Sequence, residues 1–249
     1  MSASSKIDSD LSAIIDRFKA LESPKDKAGM ARFGIRTDRA FGISVYVLRD
    51  MAKEIGTSHE LALALWDTGY HEARILAGII DDPKQVTSEQ MDAWVAEFDS
   101  WDVCDQCCSN LFDQTPYAYE KAFQWADDDR EFVRRSGFVM MAALAVHDKK
   151  AGDESFEQFF PVMKKYATDD RNFVRKAVNW ALRNIGKRNL ALNARAIEVA
   201  EEIKAINTKS ARWIAGDALR ELRSEKVQAR LAAKLAGKEK IIGPGRPRT

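Results

Sequence analysis

Asp128-Asp129-Arg130-Glu131-Phe132-Val133-Arg134-Arg135 returns forty-one residues later as Asp169-Asp170-Arg171-Asn172-Phe173-Val174-Arg175-Lys176. A weaker echo follows, Ala181-Leu182-Arg183 against Ala218-Leu219-Arg220, offset by 37 residues. A period of about 40 residues is that of HEAT and armadillo arrays, in which a helix pair cannot bury its apolar stripe alone and stacks on its neighbours. The repeat therefore predicts an all-α, HEAT-like α-solenoid with a concave face. Within each copy, Asp129 with Arg134 and Asp170 with Arg175 are expected to pack one repeat on the next, while Arg135 and Lys176 fall one step beyond, on another face.

Outward from the repeat, the pattern stays helical. Alternating Val/Ile/Thr runs bounded by tight turns, the mark of strands, are missing. Apolar residues recur at helical spacing, predicting helices near 8–22, 37–55, 58–66, 69–81, 87–97, 101–111, 115–126, 129–147, 154–167, 171–186, 189–204, 208–223 and 225–237. Ser23-Pro24, Asp81-Asp82-Pro83, Thr115-Pro116 and Gly152-Asp153 punctuate them. Residues 1–240 are expected to form one repeat domain, and 241–249 a disordered basic tail.

The 249 residues are 45% hydrophobic and 31% charged, enough to bury a core and too apolar for wholesale disorder. No run approaches the roughly 18 apolar residues of a membrane helix, and Met1 to Leu11 lacks the apolar centre of a secretory signal. No membrane contact and a cytoplasmic location are therefore expected. Cys104, Cys107 and Cys108 are an odd, clustered set, unsuited to a disulfide framework. With His59, His71 and His147 scattered, they also fall short of the four ligands zinc usually takes, so no metal and no cofactor are expected and buried thiols are the preferred reading.

The net charge of +1 hides an asymmetry. Residues 171–249 carry 19 Lys and Arg against 7 Asp and Glu, a net +12, whereas 1–170 carry 20 against 31, a net −11. A basic half suggests a polyanion partner, unless it is merely a solvated surface. In the repeat helix after Asp170, Lys176, Trp180, Arg183 and Lys187 share one face, apart from the apolar stripe of Val174, Ala177, Val178, Ala181 and Ile185. Such a row suits a sugar–phosphate backbone; the alternative is Trp180 wedged between repeats. Arg212, further on, joins the candidate DNA contacts. On the helix opening at Trp101, that residue shares an arc with Asp105, Cys108 and Phe112, while Val103, Cys107 and Leu111 form a core face. An indole beside a carboxylate suits a cationic ring; the simpler arrangement is Asp102 at the helix dipole and Trp101 in the core. Gly243-Pro244-Gly245-Arg246-Pro247-Arg248 looks like an AT-hook that would place Arg246 and Arg248 in a minor groove, or is a solubilising tail.

From Met30-Ala31-Arg32-Phe33-Gly34-Ile35 through Leu65-Trp66-Asp67, Glu72-Ala73-Arg74, Ser100-Trp101-Asp102-x-x-Asp105 and Phe132-Val133-Arg134-Arg135 to Phe173-Val174-Arg175-Lys176-Ala177-x-x-Trp180, the chain resembles the AlkD-type DNA alkylation repair enzymes. The resemblance implies a C-shaped solenoid that cradles duplex DNA, and a glycosylase that hydrolyses the N-glycosidic bond of cationic N3- and N7-alkylated purines in it without flipping the base. Trp101, Asp105, Arg135 and Trp180 match the family's catalytic positions, with Lys176, Arg183, Lys187, Arg212, Arg246 and Arg248 as DNA-binding candidates. Arg36 departs from the family pattern, as do Cys107-Cys108 and the Gly-Arg-Pro tail. A monomer acting on alkylated duplex DNA is expected. The competing expectations are a DNA-binding relative without excision and a HEAT scaffold for a protein partner.

Overall fold

The computed structural model describes residues 3–242, with side-chain surroundings for 5–236. Among these, every regular element is helical, and the chain divides into two compact units, Met1–Lys121 and the remainder from Ala122.

The first unit holds α1 (Ala3–Ala20), α2 (Pro24–Arg32), α3 (Val45–Ile55), α4 (His59–Asp67), α5 (His71–Ile80), α6 (Ser88–Ala96) and α7 (Trp101–Asn110), followed by a 3-10 turn at Phe112–Gln114 and the start of α8 (Ala118–Ala126). Helices α3, α5 and α7 pack successively in one layer, and α4 packs against both α1 and α5. The layer containing α4 and α6 is closed by Trp66 and Trp94, stacked with ring centres 4.0 Å apart. Gly78 on α5 lets α7 approach closely: a Cβ there would lie 2.9 Å from Cys107 Sγ and 3.2 Å from Cys107 Cα.

The second unit holds α9 (Glu131–His147), α10 (Glu154–Glu157), α11 (Phe160–Tyr166), α12 (Asn172–Gly186), α13 (Leu190–Ala205), α14 (Lys209–Leu222) and α15 (Glu225–Ile242). Here α9, α12 and α14 form one layer and α11 and α13 the other. This is the HEAT-like arrangement that the 41-residue repeat predicts. Side-chain amides stitch the layer: buried Asn179 of α12 donates to Ile214 O on α14 at 3.0 Å, and Asn184 donates back to Ala142 O on α9 at 3.2 Å. These bonds reach groups inside the stack, where an unpaired amide would be costly.

Two local departures have clear causes. Periodicity predicts a helix over 37–55, yet residues 37–44 are irregular and an additional helix, α2, occupies Pro24–Arg32. Ser23-Pro24 is not a break but a helix start, with Ser23 Oγ accepting from Asp26 N and proline at the first position. Helix α2 buries none of its residues, so it has no apolar stripe to detect. The predicted helix over 154–167 is interrupted between α10 and α11, just before Pro161.

The repeat pairing is confirmed in one copy and altered in the other. Arg134 donates to Asp129 at 3.0 Å, to Asp169 at 2.8 Å and to Ala126 O at 3.2 Å, and its guanidinium lies over the Tyr166 ring. Arg175 does not pair with Asp170. It bonds Asn172 at 3.2 Å and lies over Trp213, 5.1 Å from the ring centre. Of the sequence-derived DNA contacts, Arg246 and Arg248 lie outside the described residues, as does most of the 241–249 tail.

Candidate functional site

Ser100 is extended and opens α7. Val103, Cys104, Cys107, Cys108 and Leu111 are buried against the first unit's core. Cys108 and Phe112, expected on the arc of Trp101 and Asp105, are fully buried, so the solvent-facing arc is instead Trp101, Asp102, Asp105, Gln106 and Ser109, each half-buried. Burial pushes the Cys107 and Cys108 thiols well above their ordinary range, which leaves them protonated and inert.

Trp101 is held by its pyrrole N–H, which donates to Phe33 O at 3.0 Å. That carbonyl belongs to the residue ending α2, whose own ring is 70% exposed. The indole is therefore anchored at its polar edge and keeps part of its ring surface accessible. Asp102 serves the helix start: Oδ1 accepts Val103 N at 3.1 Å and Oδ2 pairs with His71 Nε2 at 2.9 Å. Burial of His71 disfavours its charge, but the hydrogen bond and proximity of Asp102 outweigh it, and the imidazole is held above its ordinary pKa. Asp105, one turn on, is half-buried, and its backbone carbonyl accepts Ser109 Oγ.

The segment carrying Arg36 and Arg39 is fixed by buried Glu72. Its carboxylate accepts Gly42 N at 2.7 Å, Phe41 N at 2.9 and 3.0 Å and Ile43 N at 3.2 Å. Three converging N–H groups satisfy the buried carboxylate. Gly42 makes this possible at φ +82°, and a Cβ there would sit 2.5 Å from Ser23 O. Arg36 itself remains exposed, 3.9 Å from Asp99.

In the second unit, Arg135 is 5% exposed and donates through Nη1 to Phe173 O at 2.7 Å. Lys176 is exposed and forms no ion pair among the described residues, whereas Trp180, one turn on, is half-buried. Arg183 and Lys187 are committed elsewhere. Both bond Glu221, Lys187 at 2.7 Å, and Arg183 Nε lies 3.7 Å from Asp217. Burial would raise Glu221, but hydrogen bonds from Lys187 and Arg183 prevail and hold its carboxyl below the usual range. The basic row expected on α12 is thus charged at its start and neutralised toward its end. Arg212 is exposed and donates to the side chain and carbonyl of Asn207, whose φ is 63°.

Residues 14–229 match the profile of the family described as DNA alkylation repair enzyme. The chain belongs to the DNA alkylation repair enzyme family. No curated protein matches it. Among solved structures, this family member is similar to one reported as "a new family of proteins related to the HEAT-like repeat DNA glycosylases with affinity for branched DNA structures", with a TM-score of 0.75 and 19% identity over 89% of this chain and 95% of that one. At that identity the likeness shows the fold. A designed armadillo repeat protein bound to a (KR)4 peptide covers 77% of this chain and 91% of its own, at 15% identity and a TM-score of 0.37, too low to carry an argument.

Sequence reading of this DNA alkylation repair family member missed two features. Glu72 was legible only as part of a family-like stretch, because its N–H partners lie about thirty positions away. The His71–Asp102 pair spans 31 residues, and its only sequence signal was a buried-looking histidine at the start of an apolar helix. No helix among the described residues is long and apolar enough to cross a membrane.

Proposed function

We propose that this protein is a DNA glycosylase that releases cationic N3- and N7-alkylated purines from duplex DNA. The observation that carries the reading is the solvent-facing arc of α7. It presents an indole anchored by its N–H and, one turn away, a half-buried carboxylate. Both are positioned from a rigid helix whose other face is buried core, so neither side chain depends on a loop.

An alkylated purine is already cationic. When the N-glycosidic bond breaks, its electron pair leaves with the base, which departs neutral and needs no proton. Positive charge builds on the deoxyribose instead, as in glycoside hydrolysis generally. The Asp105 carboxylate opposes that charge and orients a water toward the anomeric carbon. The oxygen of that water bonds to the carbon, and its proton passes through Asp105 to solvent. The ring face of Trp101 receives the partly positive sugar C–H groups. Taken by itself, the second unit offers DNA its own contacts: the Trp180 ring face for a sugar, exposed Lys176 for backbone phosphate, and the Arg135 guanidinium held by Phe173 O. His71 is buried and engaged by Asp102, so it is not offered to a leaving base as a general acid, which favours charged lesions over neutral ones such as uracil.

A duplex containing N7-methylguanine, incubated with the protein and analysed for free base, tests the reading. Asp105→Asn keeps the shape and removes the charge, so release should fall on the order of 10²–10³-fold while duplex binding persists. Release by the Asn variant at the parental rate, or efficient uracil excision, would contradict this assignment. A second reading is structure-selective DNA binding without excision, favoured by the reported branched-DNA affinity of the fold relative. Undetectable base release together with preferential binding of a three-way junction would establish it instead.

A further inference from the structure

In the second unit, a cavity of about 690 Å³ opens where α9 and α12 end, between the following loops and α15. Its wall carries five basic side chains, Lys149, Lys187, Arg188, Arg230 and Lys234, and a single acid, Asp153. That volume falls within the usual range of small-ligand sites, yet cation-rich walls set it apart from a typical apolar pocket.

The partners of these cations decide what the cavity can hold. Arg188 donates to Ala145 O at 3.0 Å and Ala151 O at 2.9 Å and stacks over Phe156, 4.1 Å from the ring centre. Arg230 donates to Lys187 O at 3.3 Å, and Lys149 to Val146 O. Carbonyls at helix ends orient such cations, but they bear no net charge and leave the positive charge uncancelled. Among the described residues none of these three pairs with a carboxylate. Asp153 accepts from Asn189 at 2.7 Å. Lys187 is the exception, bound to Glu221. Positive charge cancelled along the end of α12 thus persists inside the cavity. A guanidinium has five donors, so Arg230, after one carbonyl bond, retains others for a ligand oxygen.

We infer that this cavity is a phosphate-binding site and that nucleic acid phosphate occupies it, outside the Trp101 and Trp180 positions. The inference rests on DNA as the partner in the proposed function, and its location supports that source. Lys187 borders the cavity and follows Trp180 by seven residues, about 10 Å along the helix, which equals about three nucleotide steps of duplex rise. A strand whose sugar meets Trp180 therefore brings a phosphate to the cavity a few steps away.

The test uses the full chain and the double variant Lys149→Gln/Arg230→Gln, both exposed positions, with Arg188 left in place because it packs on Phe156. Lys6→Gln/Lys204→Gln removes equal charge elsewhere and is the control; thermal melting checks that each variant is folded. Inorganic tripolyphosphate is titrated calorimetrically, and an undamaged duplex with 5′-hydroxyl or 5′-phosphate ends is titrated across salt concentrations. Undamaged DNA makes the result independent of excision. The parent and control should bind tripolyphosphate and the double variant should lose it. The duplex salt slope should flatten by about 0.9 for each phosphate that is no longer neutralised. Flattening with both kinds of end assigns backbone diesters, and flattening only with 5′-phosphate assigns the terminal monoester. No tripolyphosphate binding by the parent overturns the site. Binding without any change in duplex slope relative to the control overturns its assignment to a nucleic acid strand.

Discussion

The two copies of the repeat, Asp128–Arg135 and Asp169–Lys176, differ far more in space than in sequence. Arg134 is buried and shared between Asp129 and Asp169, whereas Arg175, its equivalent, lies half-exposed across Trp213. Arg135 is buried and bonded to Phe173 O; Lys176 is exposed. The lesson is that the position within the repeat does not assign the role. What the next repeat offers does so. After the first copy comes the second copy's Asp169, a carboxylate already gathered by Arg171 at its own turn. After the second copy comes Trp213, with Ser210 reaching Asp169 O at 2.7 Å.

That difference makes the two arginines unequal on substitution. Arg134→Ala leaves Asp169 partly buried with one cation fewer and should cost about 3 kcal/mol of unfolding free energy in denaturant titration. Arg175→Ala removes a stacked, half-exposed cation and should cost about 0.5–1 kcal/mol. Equal losses would erase the distinction between the copies.

The next pair separates packing from binding. Arg135→Ala removes a buried guanidinium together with its bond to Phe173 O and should cost about 1–3 kcal/mol. Lys176→Ala should leave stability unchanged and flatten the salt dependence of duplex binding by about 0.9, the value for one neutralised phosphate. A destabilised Lys176 variant, or an Arg135 variant as stable as the parent, would reverse these roles.

The smallest effect concerns pH and contrasts the units. His71 is held above its ordinary pKa in the folded chain, so its pairing with Asp102 contributes fully below about pH 6.5, the unperturbed value, and is lost as pH rises through the folded value. Glu72 and Asp99, which also face it, add to the same upward pull. For Asp169, burial acts upward, but Arg171 and Arg134 hold the carboxyl low, so its contribution is lost only in acid. Stability should therefore decline modestly from pH 6.5 toward 8, and His71→Gln should flatten that decline. An unchanged slope in the variant would remove His71 from the account.

The sequence by itself determined the helical class, the HEAT-like stacking and the family. These follow from local periodicity and a 41-residue spacing, information that neighbouring residues along the chain carry. It also picked out Trp101 and Asp105 as partners, because one helical turn places them on a single arc. It also read the three cysteines as buried thiols, and they are, although Cys108 shares the Trp101 arc by spacing, so only the packing shows that this arc closes before Cys108. Only the tertiary structure decided which charges are available. Arg183 and Lys187 look as basic as Lys176 in sequence, yet Glu221 on another helix neutralises them. Meanwhile Arg188 and Arg230 bond backbone carbonyls, with Arg188 also over the Phe156 ring, and keep their charge. Electrostatic availability depends on what lies within a few ångströms, and for these residues that partner sits some forty positions away along the chain.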